Sequence, residues 1–202
     1  MHMHKVITDI IILTISFFQY TPGIQTLHCI EQYTGPGGHS TLLDGFAVAQ
    51  QLKQLDRRAY DVMTSYKITY RDLGSDAFGE FETFYERPVI ETTPQGEITR
   101  FAYSNWLRDY TLRGSAEEMQ AFYESYYVLS RLINKPSNVL EFKMAEGDVL
   151  CFDNKRLLHG RTAMEGDVSQ VRRFLHGCYF DWDGLFTHMR PVKRRLDREA
   201  LL

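Results

Sequence analysis

The chain has 202 residues, 44% of them hydrophobic and 24% charged, with a formal net charge of −3 and a pI near 6.2. That length suits one folded domain, and the ordinary composition excludes a wholly disordered chain, a collagen-like repeat and a multi-span membrane protein. Nucleic-acid binding calls for a basic surplus that is absent here. A soluble protein of a reducing, cytoplasmic compartment is the expectation. The three cysteines, Cys29, Cys151 and Cys178, are widely spaced with no CxxC, so neither a disulfide framework nor a zinc ribbon is expected. Each sits among apolar neighbours and reads as a buried, inert thiol. The 13 Phe, 12 Tyr and 2 Trp could fill a core or line a pocket, and their number alone does not decide which.

The stretch Ile10–Phe18 reads IIILTISFF, and no charge appears between Asp9 and Glu31. A spanning helix needs about 20 predominantly apolar residues, whereas this run is broken by Gln19, Pro22, Gly23 and Gln25. A secretory signal is the nearer alternative, since one Lys precedes the apolar run. Against it, Asp9 borders the run and no small-residue cleavage site follows Phe18. Residues 1–17 therefore read as an atypical apolar segment ahead of a domain spanning 18–202.

From there the pattern predicts short strands with helical interruptions. Ile24–Ile30 and Ser40–Leu43 read as strands around the Gly-rich turn Gly35–Gly38. A helix follows, capped by Asp44, with Phe46, Ala49, Leu52 and Leu55 on its apolar face. A second short helix covers Arg57–Ser65. Ile68–Arg71, Val89–Thr92 and Ile98–Tyr103 read as strands, the last two joined by the turn Pro94-Gln95-Gly96. Ser115-Ala116-Glu117-Glu118 is a capping box. It opens a helix in which Met119, Phe122, Tyr123, Tyr126, Leu129 and Ile133 recur at helical spacing until Pro136, and this stripe reads as core. Strands resume at Val139–Met144, Val149–Phe152, Leu157–Arg161 and Phe174–Phe180. Arg190–Arg198 reads as a solvated basic helix. Many short strands with a few helices fit a barrel or double sheet flanked by helices.

The segment Gly147–Arg161 carries an apolar strand into a polar corner, and the next strand then delivers His159 beside Gly160. A neutral imidazole at a strand end is a natural metal ligand, although a lone His is more often a hydrogen-bonded structural residue. Arg173 follows fourteen residues later. If the two segments pair as a hairpin, His159 and Arg173 face one interior, where a planar guanidinium suits a carboxylate.

Five motifs then stand in order: YTPGIQTLHCI, GGHSTLLDGFAVAQQL, FAYSNWLRD, FDNKRLLHGR and RRFLHGCYFDWD. Together they resemble the carnitine-biosynthesis branch of the Fe(II)/2-oxoglutarate dioxygenases, the gamma-butyrobetaine and trimethyllysine enzymes, from about Phe18 to the C-terminus. The Asp181–Asp183 motif leans toward the gamma-butyrobetaine type. The resemblance implies a mainly β fold with flanking helices, a double-stranded β-helix (jelly roll), here incomplete at its N-terminal side. It implies Fe(II) held by two His and one carboxylate, 2-oxoglutarate as cosubstrate, ascorbate as reductant, and hydroxylation of a small trimethylammonium substrate. Within that scheme His159 matches an iron ligand, while Arg173 and Leu27 match cosubstrate contacts. Asn105 and Tyr179 match substrate-pocket positions, with the Tyr179 ring facing the ammonium group. As ordinary residues, Asn105 could instead cap a turn and Tyr179 could be core. The expected partners are that substrate and a second copy of the chain, with neither nucleic acid nor membrane. The expected compartment is cytoplasmic, or mitochondrial for the trimethyllysine type.

One departure is large. The family supplies its other two iron ligands from a His-X-Asp, and alignment places that motif near Ile12–Thr14, where this chain reads Ile-Leu-Thr. The residues two positions after the seven histidines are His4, Val6, Ile30, Thr41, Arg161, Cys178 and Arg190. No His-X-Asp or His-X-Glu therefore exists in the sequence. The substitute pairs are His4 with Asp9 and His39 with Asp44. A hydroxylase by descent, a non-catalytic fragment or splice form with a binding role, and a secreted jelly-roll binding protein all remain open at this point.

Overall fold

The computed structural model describes residues 16–164 and 172–199. Ten strands and four α-helices follow in order: β1 (Ile24–Glu31), β2 (Ser40–Asp44), α1 (Gly45–Leu55), α2 (Arg57–Ser65), β3 (Ile68–Asp76), β4 (Gly79–Arg87), β5 (Ile90–Thr92), β6 (Ile98–Phe101), α3 (Ala116–Ile133), β7 (Val139–Phe142), β8 (Val149–Asp153), β9 (Leu157–Arg161), β10 (Phe174–Phe180) and α4 (Trp182–Glu199).

Two three-stranded antiparallel sheets form the frame, ordered β10-β1-β8 and β7-β2-β9. The chain passes between the two sheets from β1 to β2 and at each step from β7 to β10, as in a jelly roll. The expected hairpin of Leu157–Arg161 with Phe174–Phe180 does not form, because β9 pairs with β2 while β10 pairs with β1.

Helices cover the back of the second sheet. Leu43 of β2 and Leu158 of β9 are buried there with Val48, Ala49 and Leu52 of α1, Met63 of α2, and Phe122 and Leu129 of α3. The Asp44 carboxylate accepts from the backbone N–H groups of Phe46 and Ala47, starting α1 as its sequence predicts. The buried face of α1 runs through Val48 rather than Leu55, which is 67% exposed beside the sharp turn into α2. At α3, Ser115 and Glu118 form both bonds of the capping box. Phe122, Tyr126, Leu129 and Ile133 are core, while Tyr123 lies on the open side at 47% exposure.

Two elements differ from the sequence reading. Ile68 begins a nine-residue strand that pairs along its whole length with β4, an element the apolar pattern does not reveal. The distal half of that hairpin is exposed on both faces, so alternation is lost where no core selects it. At the other end α4 begins at Trp182, ahead of the basic run, which is solvent-exposed as expected. The uniform reading of the cysteines as buried is also corrected. Cys29 points into the frame and is fully buried, whereas Cys151 and Cys178 are exposed. Cys29 lies in β1 itself, three residues after Thr26, and period two puts Cys151 and Cys178, both opposite Thr26, on the outward face.

Candidate active site

The two sheets face each other across a cavity of about 270 Å³. Strand periodicity decides what enters it. In β9, residues 159 and 161 share a face, so His159 and Arg161 both line the cavity while Leu158 packs backwards into the helical core. Their β2 partners are Leu42 and Ser40. From the opposing sheet come Leu27 of β1 and Leu150 of β8, which are register partners, and Leu175 of β10, with Arg173 one residue ahead of that strand. Gly177 stands opposite Leu27, where an added Cβ would touch the leucine Cδ2 at 3.4 Å.

His159 and Arg173 therefore reach one interior from different sheets, not from the two arms of a hairpin. The Arg173 Nη2 donates to Ser40 Oγ at 3.3 Å, and its buried Nε has no hydrogen-bond partner. Burial lowers the Arg173 pKa, and the nearby Arg161 guanidinium lowers it further. The ring of His159 lies 5.2 Å from that of Phe152, and burial pushes the imidazole pKa down to about 4. The side chain is thus neutral near pH 7, with its buried Nδ1 unpartnered. These orphaned polar atoms fit an anionic ligand such as a 2-oxo dicarboxylate, since buried donors normally find acceptors.

They do not fit the iron centre that the sequence resemblance implies. Among the described residues no three His, Cys, Asp or Glu side chains come together in a way that could hold a metal ion. The substitute pair His39 and Asp44 is otherwise engaged. His39 Nδ1 lies 2.6 Å from the Glu141 carboxylate, and Asp44 caps α1 while pairing with Arg156 at 2.6 Å. His4, Asp9 and Ile12–Thr14 lie outside the described residues.

A second, wider cleft of about 670 Å³ opens past the far end of β10. Tyr20, Tyr179, Trp182, Asp181, Asp183 and Arg100 are among its walls. Gln25 Nε2 donates to the Tyr179 hydroxyl at 3.0 Å, which holds that ring in place. Asn105 lines neither cavity; it is exposed, and its Oδ1 accepts from Tyr126 at 2.7 Å. Leu27, His159 and Arg173 are thus brought together, Tyr179 stands along the same strand in the adjoining cleft, and Asn105 stands apart. Arg161, Ser40, Tyr20 and Trp182 were not singled out from sequence. Of these only Arg161 carried a signal, being two residues beyond His159 in a strand.

Comparison with known proteins matches the family described as "Taurine catabolism dioxygenase TauD, TfdA family" over residues 14–179. Human gamma-butyrobetaine dioxygenase is 35% identical over 178 residues, which is 88% of this chain and 45% of that protein. The mitochondrial trimethyllysine dioxygenase of Rattus norvegicus is 28% identical, over 87% of this chain and 40% of the relative. The chain thus spans less than half the length of these relatives. A taurine dioxygenase from Burkholderia xenovorans superposes with a TM-score of 0.57 at 16% identity, covering 83% of this chain and 56% of that one. An asparagine oxygenase bound to Fe(II), 3-hydroxyasparagine and succinate gives 0.57 at 14% identity, covering 86% and 50%. With its two-sheet frame and a family match over most of its length, the chain belongs to the TauD/TfdA family of dioxygenases.

Proposed function

We propose that this chain carries the cosubstrate- and substrate-holding part of an Fe(II)/2-oxoglutarate-dependent hydroxylase acting on a small trimethylammonium compound of the gamma-butyrobetaine kind. The observation that carries this reading is the convergence of His159, Arg173 and Leu27 on one cavity between the sheets. Arg173 would pair with the far carboxylate of 2-oxoglutarate through a charge-assisted bond, and Leu27 would pack against its carbon chain. Tyr179, steadied by Gln25, offers a ring face to a quaternary ammonium, while the Asp181 and Asp183 carboxylates supply favourable charge in the same cleft. Iron, when bound in a complete centre, supplies the oxygen chemistry of such enzymes. Among the described walls of the cavity, His159 is the residue that could ligate it.

A second reading has its own support. With His159 the single His, Cys, Asp or Glu among the described walls of the cavity, and no His-X-Asp or His-X-Glu in the sequence, the chain by itself is a binding protein of dioxygenase descent. Ligand number and geometry secure a metal. A cytoplasmic location goes with the gamma-butyrobetaine type and a mitochondrial one with the trimethyllysine type.

The test pairs binding with turnover. Titration calorimetry is expected to show 2-oxoglutarate binding competed by N-oxalylglycine, and gamma-butyrobetaine is expected to change the emission of Trp182. With Fe(II), 2-oxoglutarate and ascorbate, no substrate-dependent succinate is expected from this chain. Succinate formation would overturn the second reading, and loss of both binding signals would overturn the first.

A further inference from the structure

We propose that Arg161 and Arg173 form a two-guanidinium clamp that holds a dicarboxylate in the cavity between the sheets without a metal ion. The inference rests on the cosubstrate site proposed above and departs from it in two respects, a second anion contact and independence from iron.

Arg161 reaches the cavity from β9 and Arg173 from the start of β10, so the two guanidinium groups approach one space from opposite sheets. They are close enough that the Arg161 charge depresses the Arg173 pKa. Neither has an ion-pair partner among the described residues, and no acidic side chain is among the described walls. The buried Arg87, by contrast, pairs with Glu91 at 3.1 Å. Two like charges sharing a partly desolvated cavity repel each other, and a dianion would offset both.

The remaining walls select the shape of that dianion. Ser40, the register partner of Arg161, already accepts from Arg173 and so stands between the two cations. His159 lies on the same strand face as Arg161, and its ring, whose buried Nδ1 has no partner, offers a further polar contact to a carboxylate or keto oxygen. Leu27, Leu150 and Leu175 supply apolar surface for a short carbon chain. The volume of about 270 Å³ lies just below the usual range of roughly 300–1,000 Å³ for small-molecule sites, which suits a small linear diacid. A divalent cation would add a third positive charge beside one imidazole, with no carboxylate among the described walls to offset it. The charges on the described walls therefore favour the anion alone.

Titration calorimetry in EDTA with 2-oxoglutarate, glutarate and the monocarboxylate valerate tests the clamp. Both diacids are expected to bind in EDTA within about threefold of their affinity in Mn(II), the fold-change that about 0.65 kcal/mol represents. Arg161→Gln is expected to weaken both diacids at least tenfold while leaving valerate unchanged. Arg173→Gln is expected to weaken all three. Arg161→Lys, which keeps the charge but loses the fork, should fall between wild type and Gln, and it serves if the Gln variant fails to fold. Diacid binding that appears only with Mn(II), or unchanged diacid affinity in both Arg161 variants, would overturn the clamp while leaving the cosubstrate site standing. Absence of diacid binding to the wild type in either buffer would overturn both.

Discussion

The Arg173 guanidinium donates to Ser40 Oγ at 3.3 Å, joining the start of β10 in one sheet to the first residue of β2 in the other. The two residues are 133 positions apart in the chain, and their meeting orients the charged group of the proposed anion site. Ser40 is almost fully buried, so its hydroxyl is held in position before any ligand arrives.

Arg173→Ala should weaken 2-oxoglutarate by roughly 10- to 150-fold, the range for losing a charged hydrogen bond worth about 1.5–3 kcal/mol. Ser40→Ala should cost less, within about tenfold, because it removes only the orienting contact. Calorimetric dissociation constants for the two variants check the order.

Folding stability should respond to pH through His159. Its folded pKa of about 4 lies below the ordinary imidazole value because burial disfavours the cation. The unfolded chain therefore takes up the proton first as pH falls. Stability is fully present above about pH 6.5 and is lost progressively down to about pH 4, by at most about 3 kcal/mol. Urea melts at pH 7.5 and 4.5 should show this loss in the wild type and a smaller one in His159→Gln.

Asp44 joins the sheet to α1, and its replacement by Ala should cost about 1–2 kcal/mol through the lost cap. Desolvation opposes the carboxylate, but the bonds from Arg156, Ala47 and Phe46 prevail and lower its pKa. The stabilisation is present above the usual carboxylate range and disappears as pH falls through the lowered folded value. Denaturant midpoints of Asp44→Ala and the wild type should therefore converge in acid.

The α3 stripe should divide sharply. Phe122→Ala should destabilise by about 3–5 kcal/mol, since its ring is fully buried between Tyr66 and Tyr126. Tyr123→Ala should cost under about 1 kcal/mol, because nearly half of that residue is exposed. Thermal melts of the two variants separate core from surface.

Local chemistry was legible where a short segment decides its own structure. The Asp44 cap, the Ser115–Glu118 capping box and the stop before Pro136 each depend on a handful of neighbouring atoms, and each stands where the sequence puts it. The family motifs were equally legible, and three residues they single out, His159, Arg173 and Leu27, line one cavity. The β3–β4 hairpin was not, because its distal strands meet water on both faces and no buried side imposes alternation. The fate of each cysteine was not legible either, since apolar neighbours do not say which face of a strand is covered.

The sequence by itself determined that the chain is a jelly roll of dioxygenase descent and that it contains no His-X-Asp or His-X-Glu, for both are properties of residue order. Only the tertiary structure decided that β9 and β10 join different sheets, and hence that Arg161 stands with Arg173 around one cavity. Strand pairing between distant segments depends on which faces can be buried together. That depends on the whole packed frame, and no window of neighbouring residues contains it.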